Sequence, residues 1–191
     1  MMHRFADVSV TVPDAHVYSD IPLIFAANHV SWWDGFLLME LHRVVRPRAP
    51  YHTIMLESEL RQHSFLRRIG AIGIDPQRSS TLLSAIRELK RRIERRPDSV
   101  IFFFPQGRIL PSWKRPLGFR RGIEVFREAL GESVVVPVGI HIEPLNRAAP
   151  HAFVRAGQPL RDSDDISAAL IENRVEHELD QVLGMLKEGM Q

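Results

Sequence analysis

Apolar side chains fall on alternate positions at the start of the chain, at Ala6, Val8, Val10 and Val12. That period belongs to a strand with one face in a core and the other in water, and it predicts an edge strand ended at Pro13-Asp14. Later apolar stretches are continuous: "PLIFAAN" (22–28), "YHTIML" (51–56), "SVIFFFP" (99–105) and "SVVVPVGIHIE" (133–143), with the shorter "GAIGID" (70–75) and "HAFVRAG" (151–157). Short runs without polar alternation suit strands buried on both faces. Helical signals fill the intervals. One helix is expected from Ser31 to about Val45, stopped before Pro47 and Pro50, and another from Ser58 to Arg68. Leu82, Leu83, Ile86, Leu89 and Ile93 recur at the helical period behind Ser79 or Ser80 as cap, with Pro97-Asp98 as the stop. Helices over Gly122–Leu130 and Asp162–Lys187 complete the set, the acidic start of the last suiting the positive end of its dipole.

Strands alternating with helices imply an α/β fold: a mainly parallel, mixed sheet covered by helices on both faces. With 191 residues and no repeat, low-complexity tract or linker, the economical division is one domain, 1–191. In such sheets ligands bind beyond the carboxyl ends of the strands. Two segments are expected there, "NHVSWWD" (28–34) and the loop from Pro105 to Phe119.

Composition narrows the chemistry. The chain has no cysteine, which removes disulfides, thiolate zinc sites and a cysteine nucleophile, and fits a reducing compartment. "MMHRFADVSV" carries no signal-peptide core, and the longest apolar runs are too short to span a bilayer, so a cytoplasmic protein is expected. Charge is distributed unevenly: residues 1–120 hold 18 Lys or Arg against 11 Asp or Glu, and residues 121–191 hold 7 against 12. Arginine dominates, and its forked guanidinium suits phosphate or carboxylate, so nucleic acid, phospholipid headgroups or an acidic carrier are the partners to weigh. "RELKRRIERR" (87–96) taken alone reads as a solvated helix face with an attractive Glu88–Arg92 spacing.

Several signatures are missing: the G-x-S-x-G elbow, the phosphate-loop G-x-x-x-x-G-K-S/T, a G-x-G-x-x-G after the first strand, and H-E-x-x-H. Serine hydrolases, nucleotide-triphosphate enzymes and zinc proteases are disfavoured. The nine histidines are scattered, and no metal is expected; His29, Asp34 and His52 are the one set that folding could bring together.

Two readings of "NHVSWWD" remain. Ser31 caps a helix whose third residue is Asp34, or His29 and Asp34 are a base and its orienting partner, joined by the turn from strand to helix. The later segments favour the second. "NHVSWWD" resembles the Asn-His-x-Ser-x-x-Asp motif of the glycerolipid acyltransferase family, which includes the lysophosphatidic acid acyltransferases. "GAIGIDPQRS", "FFFPQGRI", "GFRRG" and "VVPVGI" resemble its later blocks in the same order, over residues 28 to 140. The resemblance implies transfer of an acyl group from a thioester on coenzyme A or acyl carrier protein to a lipid hydroxyl, with His29 as general base and Asp34 fixing its tautomer. No cofactor is bound in this chemistry.

Around that pair the blocks suggest Asn28, Ser31, Arg78, Pro105, Gln106, Gly107, Arg108 and Arg120 as substrate-binding residues. Trp32, Trp33 and Trp113 suit membrane or acyl-chain contact, one of the first pair being equally well plain core. Departures concern the acceptor. Gln106 stands where the family has glutamate, Arg108 and Ile109 replace Thr-Arg, and Pro76 replaces an arginine, with Arg78 two residues on. Lys114, Arg115, Arg120 and Arg121 are alternative anion contacts. These losses lean the reading towards a phosphate-free lipid acceptor. Basic and aromatic residues together suggest a peripheral contact with the inner face of the cell membrane. The rivals are a non-catalytic lipid- or carrier-binding module and a nucleic-acid binder; no nucleic acid is expected as partner.

Overall fold

The computed structural model describes residues 4–12, 21–161 and 166–189. Seven strands form one sheet: β1 (Asp7–Thr11), β2 (Leu23–Ala27), β3 (Tyr51–Leu56), β4 (Ala71–Ile74), β5 (Val100–Phe103), β6 (Val134–Glu143) and β7 (His151–Ala156). Their spatial order is β1-β7-β6-β2-β5-β3-β4. β6, β2, β5, β3 and β4 are parallel, whereas β7 is antiparallel to β6 and β1 runs alongside β7. The sheet is therefore mixed and mainly parallel, as the alternation of strand and helix signals predicts, with β1 at one edge.

Strand period decides which helices cover which face. Leu23, Phe25 and Ala27 point to the side covered by α1 (Asp34–Val45), through Leu37, Leu38 and Leu41. Ile24 and Ala26 point to the other side, against α3 (Ser79–Arg95), α4 (Gly122–Leu130) and α5 (Ala168–Gly189). On the α1 side a row of rings crosses three strands: Phe25 stacks on Phe102 at 5.9 Å, and Phe102 on Tyr51 at 5.1 Å. No helix among the described residues is long and apolar enough to cross a membrane.

Chain direction creates the site. From the carboxyl end of β2 the chain leaves on the α1 face towards β3, and from that of neighbouring β5 it leaves on the α4 face towards β6. Adjacent strands whose connections depart in opposite directions open a crevice between them.

Element boundaries differ from expectation in four places. α1 begins at Asp34, and Ser31 belongs to the turn before it. The helix expected over 58–68 is divided into α2 (Glu57–Gln62) and a 3₁₀ turn over Ser64–Ile69, because His63 leaves the helical region at φ −122°. Neither Ser79 nor Ser80 caps α3; Thr81 instead closes its start, its hydroxyl accepting from the Asp75 N–H and lying 2.7 Å from the Arg78 carbonyl. α5 begins at Ala168, its first turn held by Ser167 Oγ and by Glu124, which accepts from the Ala168 N–H. The predicted acidic start at residues 162–165 and the stop at Pro13-Asp14 lie outside the described residues.

Candidate active site

β2 ends at Ala27, and the next residue continues its ladder with a side chain. The Asn28 amide donates to the Ile140 carbonyl at 2.8 Å and accepts from the Ile140 N–H at 2.7 Å, so it pairs with β6 as a backbone peptide would. Asn28 is fully buried, its side chain committed to β6.

The turn that follows wraps around one carboxylate. Asp34 Oδ2 accepts from the backbone N–H groups of Val30 (2.6 Å) and Ser31 (2.9 Å) and lies 2.7 Å from His29 Nδ1. Oδ1 accepts from Ser31 Oγ at 2.6 Å, and that hydroxyl takes the Trp33 N–H at 3.1 Å. Ser31 thus combines a capping-type contact with orientation of Asp34. Asp34 is inaccessible to solvent, while the His29 side chain is 23% exposed. Because Nδ1 faces an acceptor it carries the ring proton, leaving the Nε2 lone pair directed elsewhere. Among the described residues no hydrogen bond engages Nε2. Phe104 stacks on the ring at 4.4 Å, a contact with no signal in the sequence motifs.

β5 supplies the other wall. Gln106, expected to meet the acceptor, is buried: Oε1 accepts the His29 backbone N–H at 2.5 Å and Nε2 donates to the Leu117 carbonyl at 3.1 Å. It clamps the turn after β2 to the loop after β5. Gly107 takes φ +66°, a left-handed conformation that turns the chain back, with the Arg120 guanidinium beside it. Pro105 is buried, and its carbonyl accepts from the Arg120 N–H; the Leu110 N–H returns to the His29 carbonyl at 2.8 Å.

Of the cations suggested for anion contacts, Arg115 lies near Glu176 and Asp180, and Arg121 pairs with Glu124. Arg108, Lys114 and Arg120 are exposed and form no ion pair among the described residues. Arg78 lines a groove of about 320 Å³ at the carboxyl ends of β3 and β4, with Ser58, Arg61, Asp75 and Gln77. The three tryptophans separate. Trp33 packs on Phe5 and Phe36 with Arg4 over its ring, Trp32 lies on His63 at 4.3 Å and is partly exposed, and Trp113 is 77% exposed. His52 sits beside Gly70 and Arg92, apart from His29 and Asp34, so the three do not form a ligand set.

A crevice at crossing connections holds a histidine whose Nδ1 meets a buried carboxylate, an arrangement whose Nε2 can take up a proton. The acyltransferase family profile matches residues 9–141, and the chain belongs to that family. Its fold is similar to the crystal structure of the 1-acyl-sn-glycerophosphate (LPA) acyltransferase PlsC from Thermotoga maritima. That match has a TM-score of 0.58 and 22% identity, over 94% of this chain and 72% of that one. No curated protein sequence matches the chain.

Proposed function

We propose that the protein acts as a single acyltransferase domain, moving a fatty acyl group from an acyl-thioester, on coenzyme A or acyl carrier protein, to a hydroxyl of a lysophospholipid or another lipid alcohol. The observation that carries the reading is the 2.7 Å contact of His29 Nδ1 with the buried Asp34 carboxylate, which leaves Nε2 available at a partly open edge. As the acceptor oxygen attacks the thioester carbonyl, Nε2 takes its proton. The tetrahedral adduct then expels the thiolate, which recovers a proton from the imidazolium, while Asp34 holds the ring and stabilises its charge. No covalent acyl-enzyme is needed.

The likeness to an enzyme of 1-acyl-sn-glycerophosphate supports a lipid acceptor. The groove at Arg78 supports a polar headgroup. A second reading, an uncharged glycolipid or isoprenoid alcohol, is favoured by the groove's charge balance: Arg78 lies 3.6 Å from Asp75, and Glu57 takes both Arg61 and Arg67. Exposed Ile109 and Trp113, each next in sequence to an exposed Arg108 or Lys114, together with exposed Trp32 and Arg120, support peripheral docking on an anionic membrane face, the cytoplasmic one.

The test is acceptor-dependent thiol release from acyl-coenzyme A and acyl carrier protein, with lysophosphatidic acid and a matched monoacylglycerol as acceptors. Turnover is expected to fall about 100- to 10,000-fold in His29→Ala. Unchanged turnover in that variant, or no release with any donor and acceptor, would overturn the reading. The preferred acceptor decides between the headgroups.

A further inference from the structure

The loop that holds Gln106 is itself held from α5, a helix beyond the matched segment 9–141. Three successive backbone N–H groups of that loop meet two carboxylates. Glu176 Oε1 accepts from Leu117 at 3.0 Å, Glu172 Oε1 from Gly118 at 2.8 Å and Glu172 Oε2 from Phe119 at 2.9 Å. Glu172 and Glu176 are one helical turn apart and therefore share a face of α5. Gly118 adopts φ +75°, and a left-handed residue in such a turn brings successive N–H groups to one side, where an anion suits them. Arg115 adds long contacts of 3.9 Å to Glu176 and 3.8 Å to Asp180.

The peptide so gripped is the one whose carbonyl accepts from Gln106 Nε2, and Gln106 Oε1 in turn takes the His29 N–H. Buried Leu117 packs in the core that also contains Ile171, Val175 and Leu179 of α5. Apolar contact is non-directional and leaves the loop's peptide planes free to rotate. Charge-assisted hydrogen bonds are directional and hold them.

We propose that Glu172 and Glu176 are positioning residues for the His29–Asp34 pair: α5 orients the loop at 117–119, the loop orients Gln106, and Gln106 fixes the backbone that carries His29. The catalytic consequence rests on the proposed role of His29, whereas the linkage itself is measurable without turnover. Hydrogen exchange of the His29 amide is followed in the full chain, with Phe25 inside β2 as internal reference. Thermal melting and acyl-thioester turnover are measured alongside. In the Glu172→Ala/Glu176→Ala double variant the His29 amide should exchange at least about tenfold faster, while Phe25 changes less than about twofold. kcat should fall, with KM for the acyl donor near its original value. Glu176→Gln keeps the one acceptor oxygen that position uses and Glu172→Gln only one of its two, so the glutamine pair should recover both readouts in part, lying between the alanine pair and the wild type. Unchanged His29 exchange in the alanine pair would overturn the proposal. So would equal acceleration at Phe25, which marks a merely structural role. Should the alanine pair fail to fold, Glu176→Ala against Glu176→Gln carries the comparison, because that position accepts with a single oxygen. Should the wild type show no acyl transfer, the functional reading fails and the exchange experiment still decides the linkage.

Discussion

Asp34 accepts four hydrogen bonds with two oxygens, three of them on Oδ2. Asp34→Asn can keep its carbonyl at the Oδ2 position and turn its amide towards Ser31 Oγ, which can rotate to accept. The fold and the histidine tautomer are then retained, while the charge that would stabilise the imidazolium of the proposed mechanism is lost. Turnover is expected to drop by about 100-fold or more, with little change in the thermal midpoint; the two measurements together separate chemistry from stability. Gln106→Glu has the opposite character. One carboxylate oxygen can still take the His29 N–H, but the other would face the Leu117 carbonyl in a buried site, in place of a donor. Denaturation should show a loss of about 1–3 kcal/mol. The pairing of His29 with Asp34 was legible because a strand-to-helix turn can bring together residues five apart and the later segments resemble a family whose motif has that pair. The role of Gln106 was not, since it depends on a carbonyl whose position no local pattern reveals.

At the scale of elements, the join between β2 and β6 rests on more than its ladder. Asn28 extends it by two bonds to Ile140, one polar atom each way. Asn28→Ala leaves a buried N–H and a buried carbonyl without partners, and urea denaturation is expected to show a loss of about 2–4 kcal/mol. Activity should fall too, because the next residue is His29. The strands were largely visible as apolar runs, since burial on both faces demands them. Helix starts were less so: serines at the predicted starts of α1 and α3 suit several turn geometries, and the packed neighbours select among them. His63 illustrates the same point, its ring lying against Trp32 at the break that ends α2.

For the molecule as a whole, imidazoles packed on the sheet tie stability to pH. Burial, and then the charge of Arg92, holds His52 at about 4, against an ordinary value of 6.5, with Glu88 and a hydrogen bond to Gly70 opposing. Burial also lowers His42, opposed by its bond to the Ala49 carbonyl. The unfolded chain takes protons on these rings below about pH 6.5, and the folded chain resists them. Their neutral forms therefore stabilise the fold fully above that pH, and stability falls as the pH drops towards about 4. Urea midpoints at pH 7 and pH 5 should show the decline, and His52→Leu should flatten it. An unchanged slope in that variant would place the acid sensitivity elsewhere.

Periodicity was enough to define the class of fold, because strand and helix periods select burial residue by residue. Five-residue spacing allowed His29 and Asp34 to be partners, because one turn closes that distance, and the resemblance of the later segments selected that reading over plain helix capping. Contacts across the chain needed the assembled sheet. Asn28 meets Ile140 over 112 residues, His29 meets Gln106 over 77, and Gly118 meets Glu172 over 54. Each joins a side chain to a backbone group, which any residue could provide, so the partner's identity leaves no mark in the sequence. Only the order of strands and the direction of their connections decide which backbone groups lie opposite, and with them which conspicuous polar residues face the crevice and which hold it in shape.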